Sequence, residues 1–160
     1  MEHTQDTRSL PAVIVHTFIL ITTSLLSLTG NSLVCLAFYR NRRLRTITNF
    51  YVLSLAVADL MVAVLLFPFG AVASGLRRWP FSFSFCQFAG FLAVYWGQVS
   101  TCTLALTSIN RYFCVVKRHK YSKYFTRKKT ILSIVVVWVS LLVQTLSLFY
   151  SAGHISVGLR

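Results

Sequence analysis

Four long apolar stretches constrain this chain more than any other feature of its sequence. They run over Pro11 to Tyr39, Phe50 to Leu76, Cys86 to Val116 and Ile131 to Tyr150. Each reaches the roughly 20 residues that a helix needs to cross a bilayer. Only 12% of the residues are charged, against about 25% in soluble domains. The sequence therefore predicts an all-α membrane protein, with spans at about residues 11–39, 47–76, 83–116 and 129–150, and leaves no length for a soluble catalytic domain.

The basic residues are concentrated on alternate connections between these spans. Four of the 16 Lys and Arg lie in residues 40–45 and eight lie in residues 111–129, whereas the second connection carries only Arg77 and Arg78. Connections rich in Lys and Arg stay in the cytoplasm. The charge pattern thus predicts an extracellular N-terminus, with the first and third connections inside the cell.

A strongly basic protein can also bind nucleic acid, which requires Lys and Arg clustered on one surface with stacking aromatic residues. Here the basic residues flank the spans instead. We therefore expect no nucleic-acid partner, and membrane lipids with anionic headgroups are the expected contacts of these charges.

No enzyme signature accompanies the spans. The four histidines, His3, His16, His119 and His154, lack metal-ligand spacing, and there is no phosphate-binding loop or nucleophile elbow. The four cysteines form no CxxC pair. Cys86 differs from the others because it lies at the outer end of the third span, where a disulfide is chemically permitted. We predict that the chain is not an enzyme.

Two polar residues lie deep within the predicted spans. Asp59 is the only side-chain carboxylate between residues 7 and 160, and an ionised Asp at the bilayer centre costs about 2.5 to 3.5 kcal/mol. It therefore needs a partner or a water-filled cavity, or else it is protonated in a helix contact. Asn31 in the first span is costly in the membrane unless it is hydrogen-bonded to a neighbouring helix, and the adjacent Gly30 permits close approach of such a helix.

The third span carries one helical stripe at steps of three and four residues. Its side chains are small toward the start of the span, include hydroxyl groups in the middle and end with a cationic group. The stripe consists of Ala93, Gly97, Ser100, Leu104, Thr107 and Arg111. This pattern predicts a helix that faces the interior of a bundle.

Five sequence markers together resemble the rhodopsin-like G-protein-coupled receptors. They are Gly30-Asn31-Ser32, Leu55-Ala56-Val57-Ala58-Asp59-Leu60, Trp79 followed by Cys86, Asn110-Arg111-Tyr112, and Trp138. The resemblance covers residues 10 to 150 and implies the first four helices of a seven-transmembrane receptor bundle in the plasma membrane. It also implies that the chain is incomplete, because spans five to seven and a partner cysteine for Cys86 would follow it.

The resemblance assigns roles to particular residues. Ala93, Val94 and Gly97 would contact the ligand, and Ala93 stands where receptors for cationic amines have an Asp, so a neutral ligand is implied. Asn110, Arg111 and Tyr112 would couple to a heterotrimeric G protein. Asp59 with Ser100 would hold a sodium ion, the only cofactor expected. Structural roles fall to Asn31, Trp79, Cys86 and Trp138, with Trp138 packing toward Ser54 on the second span.

Within this family the chain looks most similar to the melatonin receptors. The similarity rests on Asn110 before Arg111, on Lys120-Tyr121-Ser122-Lys123, on Tyr39-Arg40-Asn41 and on Cys86-Gln87 with Gly90-Phe91-Leu92. It implies an indole-like ligand. Ser147-Leu148 departs from the Pro-Asn pair that anchors ligand in that subfamily.

Two other functions remain open at this point. A truncated receptor isoform would not signal but would pair with a full-length receptor. A stand-alone transporter or channel subunit would need a binding site made from internal repeats or by oligomerisation, and the sequence has no internal repeat.

The charge pattern generates a topology prediction. A single cysteine introduced near Arg43 or Lys123 of a cysteine-free variant should react with an impermeant reagent only from the cytoplasm, and one near Arg77 only from outside. Labelling of the Lys123 position from outside the cell would contradict the predicted orientation.

Overall fold

The computed structural model of this chain describes residues 8–158, apart from the side chains of residues 123 and 152–158. Its helices are α1 (Leu10–Arg40), α2 (Ile47–Leu65), α3 (Phe67–Gly75), α4 (Phe83–Val115), α5 (Arg118–Tyr124) and α6 (Arg127–Gly158). A short 3-10 turn, Arg42–Leu44, joins α1 to α2. Four segments, with α2 and α3 counted together, are long and apolar enough to cross a membrane. The prediction of an all-α membrane protein is confirmed.

The outer surface of the helices is apolar on nearly every side. Phe18 is 68% exposed and Val115 is 79% exposed, and large aliphatic side chains are exposed along α1 and along α6 from Ile131 to Leu148. In water such a surface would cost about 25 cal/mol for each Å², whereas hydrocarbon accepts it freely. The chain is therefore a multi-pass membrane protein.

Helix α2 lies at the centre of the packing, in contact with α1, α3, α4 and α6. Three alanines, Ala56, Ala58 and Ala63, are at most 2% exposed, and small side chains of this kind let neighbouring backbones approach closely. The main buried cluster joins Ala58 to Tyr95, Trp96 and Val99 of α4, with Trp138 of α6 packed against it.

The second span is interrupted at Leu66, whereas the sequence predicts one continuous span at residues 47–76. Leu66 has φ −120° and ψ −50°, and α3 begins at Phe67 with Pro68 in its first turn. Proline has no backbone N–H and clashes with the preceding turn of a helix. The hydrogen bonds Leu66 N–H to Val62 O and Gly70 N–H to Leu66 O flank the break at 3.0 Å each, so the chain crosses as one kinked span.

Two further differences concern the third connection and the last helix. Residues Arg118–Tyr124 form the short helix α5, which the sequence analysis does not predict. The backbone of α6 stays helical to Gly158, beyond the predicted end at Tyr150. The sequence Phe81-Ser82-Phe83-Ser84-Phe85 alternates with a strand-like period of two, but its last three residues belong to α4, which begins at Phe83.

Candidate functional site

The candidate coupling residues lie at the end of the bundle where α1 and α4 finish, called here the Arg111 end. Asn110 is 0% exposed. Its Oδ1 accepts a hydrogen bond of 2.7 Å from Thr48 Oγ1 on α2, and its Nδ2 donates to the Tyr121 hydroxyl on α5 at 3.3 Å. One amide therefore ties three helices together.

Arg111 and Tyr112 follow Asn110 on the exposed side of α4. Arg111 is exposed, and Tyr112 is 50% exposed with its ring edge-on to Phe113 at 5.6 Å between centroids. Because Asn110 is neutral and already bonds α2 and α5, it offers the neighbouring arginine no ion pair. The guanidinium group faces outward at the Arg111 end.

Asp59 lies midway along α2, within a polar network that joins α1, α2 and α4. Ser100 Oγ donates to Asp59 Oδ1 at 3.4 Å, and Ser27 Oγ donates to the Asp59 main-chain oxygen at 3.4 Å. Asn31 Nδ2 donates to Ser27 O at 3.0 Å and to Ser27 Oγ at 3.1 Å. The sequence predicts a hydrogen bond from Asn31 to a neighbouring helix, whereas among the described residues Asn31 bonds Ser27, one turn earlier on its own helix.

The oxygen atoms at Asp59 suit a hard cation. One carboxylate and the Ser100 hydroxyl meet at this point, and oxygen donors are what hard, redox-inactive cations prefer. The part of the chain that the structure describes contains no group of three or more His, Cys, Asp or Glu residues able to hold a metal ion. The donors brought together at Asp59 are thus one carboxylate group and one hydroxyl group.

The three candidate ligand residues share one cavity of about 530 Å³ between α4 and α6. Ala93, Val94 and Gly97 form its apolar wall, and Gln98, Thr101 and Gln144 add polar groups. Thr145 Oγ1 donates to Gln98 Oε1 at 3.3 Å, which fixes the two helices at this level. The cavity thus combines an apolar wall with a few amide and hydroxyl groups.

The expectation that the whole α4 stripe faces a bundle interior is not met among the described helices. Ala93, Gly97, Leu104 and Arg111 are exposed, and only Ser100 and Thr107 are half-buried. The buried residues of α4 are instead Tyr95, Trp96, Val99, Thr103 and Asn110. The reason is that α2 and α6 contact α4 on this adjacent face.

Trp79 and Cys86 lie at the opposite end, called here the Trp79 end. The Trp79 ring packs on Phe81 at 5.3 Å and on Phe85 at 6.2 Å between centroids, and Phe69 of α3 joins the same cluster. Cys86 is exposed and free. The aromatic cluster anchors the connection between α3 and α4.

Trp138 packs between helices in the middle of the molecule. Its ring meets Trp96 edge-to-face with centroids 5.5 Å apart, and its main-chain oxygen accepts a hydrogen bond of 3.3 Å from the Tyr95 hydroxyl. Trp138 and Ser54 line the same apolar cavity of about 460 Å³. Trp138 thus faces the second span.

Sequence reasoning missed Thr48, Tyr121, Ser27 and Gln98 as members of these networks. Each is a polar residue in or beside an apolar helix, and that is the signal which could have drawn attention to it. The partners could not be found this way, since Thr48 and Asn110 are separated by 62 positions.

Comparison with known proteins gives a family. The sequence model described as "7 transmembrane receptor (rhodopsin family)" matches residues 30–157. Neuropeptide FF receptor 1 of Rattus norvegicus is 32% identical over 84% of this chain and 30% of its own length. Histamine H2 receptor of Cavia porcellus is 38% identical over 76% of this chain and 34% of its own length. The D(1A) dopamine receptor of Didelphis virginiana is 41% identical over 70% of this chain and 25% of its own length.

The chain therefore belongs to the rhodopsin family of seven-transmembrane receptors, and it is a receptor sequence and not an enzyme. It spans about a third or less of the length of these curated relatives. Their names include a peptide receptor and two amine receptors, so they favour no single ligand class.

The Asn110 network yields a stability prediction. Asn110→Ala removes both hydrogen bonds and leaves the Thr48 and Tyr121 hydroxyls without this partner, which should lower the free energy of unfolding by about 1–3 kcal/mol. Hydrogen exchange in residues 118–124 should accelerate, since α5 loses its link to α4. The matched control is Ser108→Ala, because Ser108 is exposed and bonds only its own helix at Leu104 O. Equal effects of the two substitutions on unfolding and exchange would contradict the prediction.

Proposed function

We propose that this rhodopsin-family chain contributes four spans to a receptor that passes an extracellular small-molecule signal to a heterotrimeric G protein. In this proposal residues 1–160 form one part of a single seven-span receptor domain. The family match over residues 30–157 and the greater length of the relatives support it.

The proposed orientation puts the N-terminus and the Trp79 end outside the cell, and the Arg111 end in the cytoplasm. Twelve of the 16 Lys and Arg residues fall in the two connections at the Arg111 end, and basic connections remain cytoplasmic. In this orientation the cavity beside Ala93 opens in the outer half of the membrane and Arg111 meets the cytoplasm.

The cavity lined by Ala93, Val94 and Gly97 is the observation that carries the proposal. Its lining also includes the amide groups of Gln98 and Gln144 and the hydroxyl group of Thr101. Ala93 carries a methyl group where amine receptors have a carboxylate, so a charged amine would bury its charge there without a counter-ion. We therefore assign the cavity to a neutral ligand, and the melatonin-like sequence features favour one of indole type.

Signal transfer in this proposal uses two arrangements of the helices. A ligand shifts the balance between them only if its affinity for the two differs. Asn110, Arg111 and Tyr112 lie at the helix ends that would face a G protein. Because Asn110 holds α4 to α2 and α5 through neutral hydrogen bonds, release of Arg111 does not require an ion pair to break.

Asp59 and Ser100 complete the proposal as a sodium site. A monovalent cation beside Asp59 would offset the cost of an ionised carboxylate in the membrane. The chain supplies one carboxylate oxygen and one hydroxyl oxygen at this point, and any further ligands would be water or groups from other helices.

The ligand assignment can be tested in a chimera. Residues 8–158 replace the matching segment of the histamine H2 receptor, and histamine-stimulated nucleotide exchange on a G protein is measured. The chimera should respond at least about tenfold more weakly than the histamine receptor, since a buried charged partner is worth about 1.5–3 kcal/mol. Ala93→Asp should restore the response.

One further variant controls for the size of the introduced side chain, and a second tests the coupling role of Arg111. Ala93→Asn has nearly the same size as Ala93→Asp but no charge, and it should not restore the response. Arg111→Gln should abolish exchange without changing ligand binding. A strong histamine response with Ala93 unchanged would contradict the neutral-ligand assignment, and exchange that survives Arg111→Gln would contradict the coupling role.

The sodium site can be tested on the chain itself. Thermal unfolding in detergent should occur at a higher temperature in sodium chloride than in choline chloride at equal ionic strength, because an ion that binds only the folded chain stabilises it. Asp59→Asn should remove this difference. Ser108→Ala is the control, since Ser108 is exposed and bonds only Leu104 O of its own helix, and it should leave the difference in place. The same sodium effect in Asp59→Asn would contradict the site.

A further inference from the structure

A small cavity of about 300 Å³ lies at the Trp79 end, where the beginning of α1 meets the end of α3. Its lining includes one histidine and three arginines, His16, Arg8, Arg77 and Arg78. Every other residue that lines it is uncharged. Two separate segments of the chain thus bring four basic side chains to one cavity.

A chain of hydrogen bonds fixes the orientation of the histidine. Thr17 Oγ1 donates to Ser74 Oγ at 3.1 Å, and Ser74 Oγ lies 2.9 Å from His16 Nδ1, a residue 58 positions away. Ser74 is only 4% exposed, and a buried hydroxyl hydrogen without an acceptor is costly. Ser74 therefore donates to His16 Nδ1, and the imidazole hydrogen is carried by Nε2. His16 thus offers the cavity an N–H donor.

A hydrogen-bonded turn places two of the arginines beside this donor. Arg77 has a φ of 53°, which is uncommon for a residue other than glycine, and its backbone N–H donates to Ser74 O at 3.2 Å. The turn follows the end of α3 directly, and Arg77 and Arg78 both line the cavity. Ser74 therefore contributes to the positions of His16 and Arg77 at the same time.

Residues 8–158 supply no carboxylate to pair with Arg77 or Arg78. Asp59 is the only side-chain carboxylate in that range. It bonds Ser100 and precedes Ser74 by about 20 Å along the second span, at 1.5 Å per residue. Like charges in one cavity repel one another, so an anion that binds between the arginines relieves this repulsion.

The donors of the cavity favour a particular anion. Arginine donates two parallel hydrogen bonds to the oxygens of a carboxylate or a phosphate. A phosphate monoester has three acceptor oxygens and about −1.5 to −2 charges at pH 7, whereas a carboxylate or a sulfate ester has a single negative charge. The phosphate monoester therefore compensates more of the positive charge.

The size and walls of the cavity limit the rest of the ligand. About 300 Å³ is at the lower limit for ligand pockets, so a small molecule fits and a large polyanion does not. Trp79 lines the cavity and is 37% exposed, which offers apolar surface to an organic group. In the proposed orientation this end faces outward, while anionic lipids are concentrated in the cytoplasmic leaflet. A soluble ligand is therefore favoured over a lipid.

We infer that this cavity binds a small soluble phosphate monoester from outside the cell. The inference uses the proposed orientation of the chain, but it needs neither a ligand beside Ala93 nor a G protein. A failure to bind would leave the proposed receptor function untouched, and a failure of signalling would leave the phosphate site standing.

The test measures binding to the purified 160-residue chain in an uncharged detergent by isothermal titration calorimetry, in a buffer free of phosphate. The probes are phenyl phosphate and phenyl sulfate, which share one ring and differ in charge. We expect phenyl phosphate to bind at least about tenfold more tightly, because its second negative charge strengthens the hydrogen bonds from the arginines.

Two matched double variants locate the site. Arg77→Gln with Arg78→Gln removes two adjacent charges from the cavity, and Arg42→Gln with Arg43→Gln removes two adjacent charges from the Arg111 end. The first pair should weaken binding of phenyl phosphate at least about tenfold, and the second by about twofold or less. If the first pair fails to fold, Arg78→Gln alone tests the same point against Arg43→Gln, since both side chains are exposed.

The histidine has its own matched pair of variants. His16→Phe keeps a ring and removes the N–H donor, so it should weaken binding of phenyl phosphate about fivefold or more. His119→Phe makes the same change on α5 at an exposed side chain and should leave the affinity unchanged. Equal affinities of these two variants would contradict the role of His16 and overturn the inferred site.

Four further outcomes would overturn the inference. The first is equal affinity for phenyl phosphate and phenyl sulfate, and the second is equal loss of affinity in the two double variants. The third is displacement of phenyl phosphate by phosphatidic acid about tenfold more effectively than by glycerol 3-phosphate, which would assign the cavity to a lipid headgroup. The fourth is a gain of about tenfold in affinity on Glu2→Gln with Asp6→Asn, which would assign the cavity to carboxylates of the chain itself.

Discussion

Hydrocarbon offers no hydrogen bonds, so a polar group inside the membrane is costly unless it finds a partner within the protein. The chain meets this requirement for several hydroxyl groups by bonding them to their own helix. Thr23 bonds Ile19 O at 2.7 Å and Thr101 bonds Gly97 O at 2.9 Å, as serine and threonine commonly do in membrane helices. Such bonds keep polar residues in lipid without fixing any neighbour.

Bonds between helices have a different effect, because they fix the arrangement of the bundle at several depths. Thr48 and Asn110 join α2 to α4 near one end, Asp59 and Ser100 join them again midway, and Tyr51 bonds Ser133 of α6 at 3.1 Å. Apolar contacts between membrane helices gain nothing from the exclusion of water. These few polar pairs therefore specify which helix faces meet, and the candidate coupling and ion sites are built from the same pairs.

The sequence predicts the number of spans and the fold class well, because the length and apolarity of each span are properties of one segment. It does not predict the break at Leu66, although Pro68 is visible, since proline is tolerated in many membrane helices. It also does not reveal that Asn110 bonds Tyr121, because that contact depends on how α5 folds back. The α4 stripe illustrates the same limit: helical spacing groups Ala93 with Arg111 correctly, but which face is covered depends on the neighbouring helices.

The alanines of α2 have a consequence for how this sequence can change. Where Ala58 meets Trp96 and Val99, side-chain volume is the limiting quantity, and even an apolar enlargement has nowhere to go. On the lipid-facing side, at positions such as Phe18 or Val115, volume is almost free and polarity is the limiting quantity. Substitution between apolar residues is therefore conservative on one surface of these helices and disruptive on the other, so hydropathy alone cannot rank the effect of natural variants.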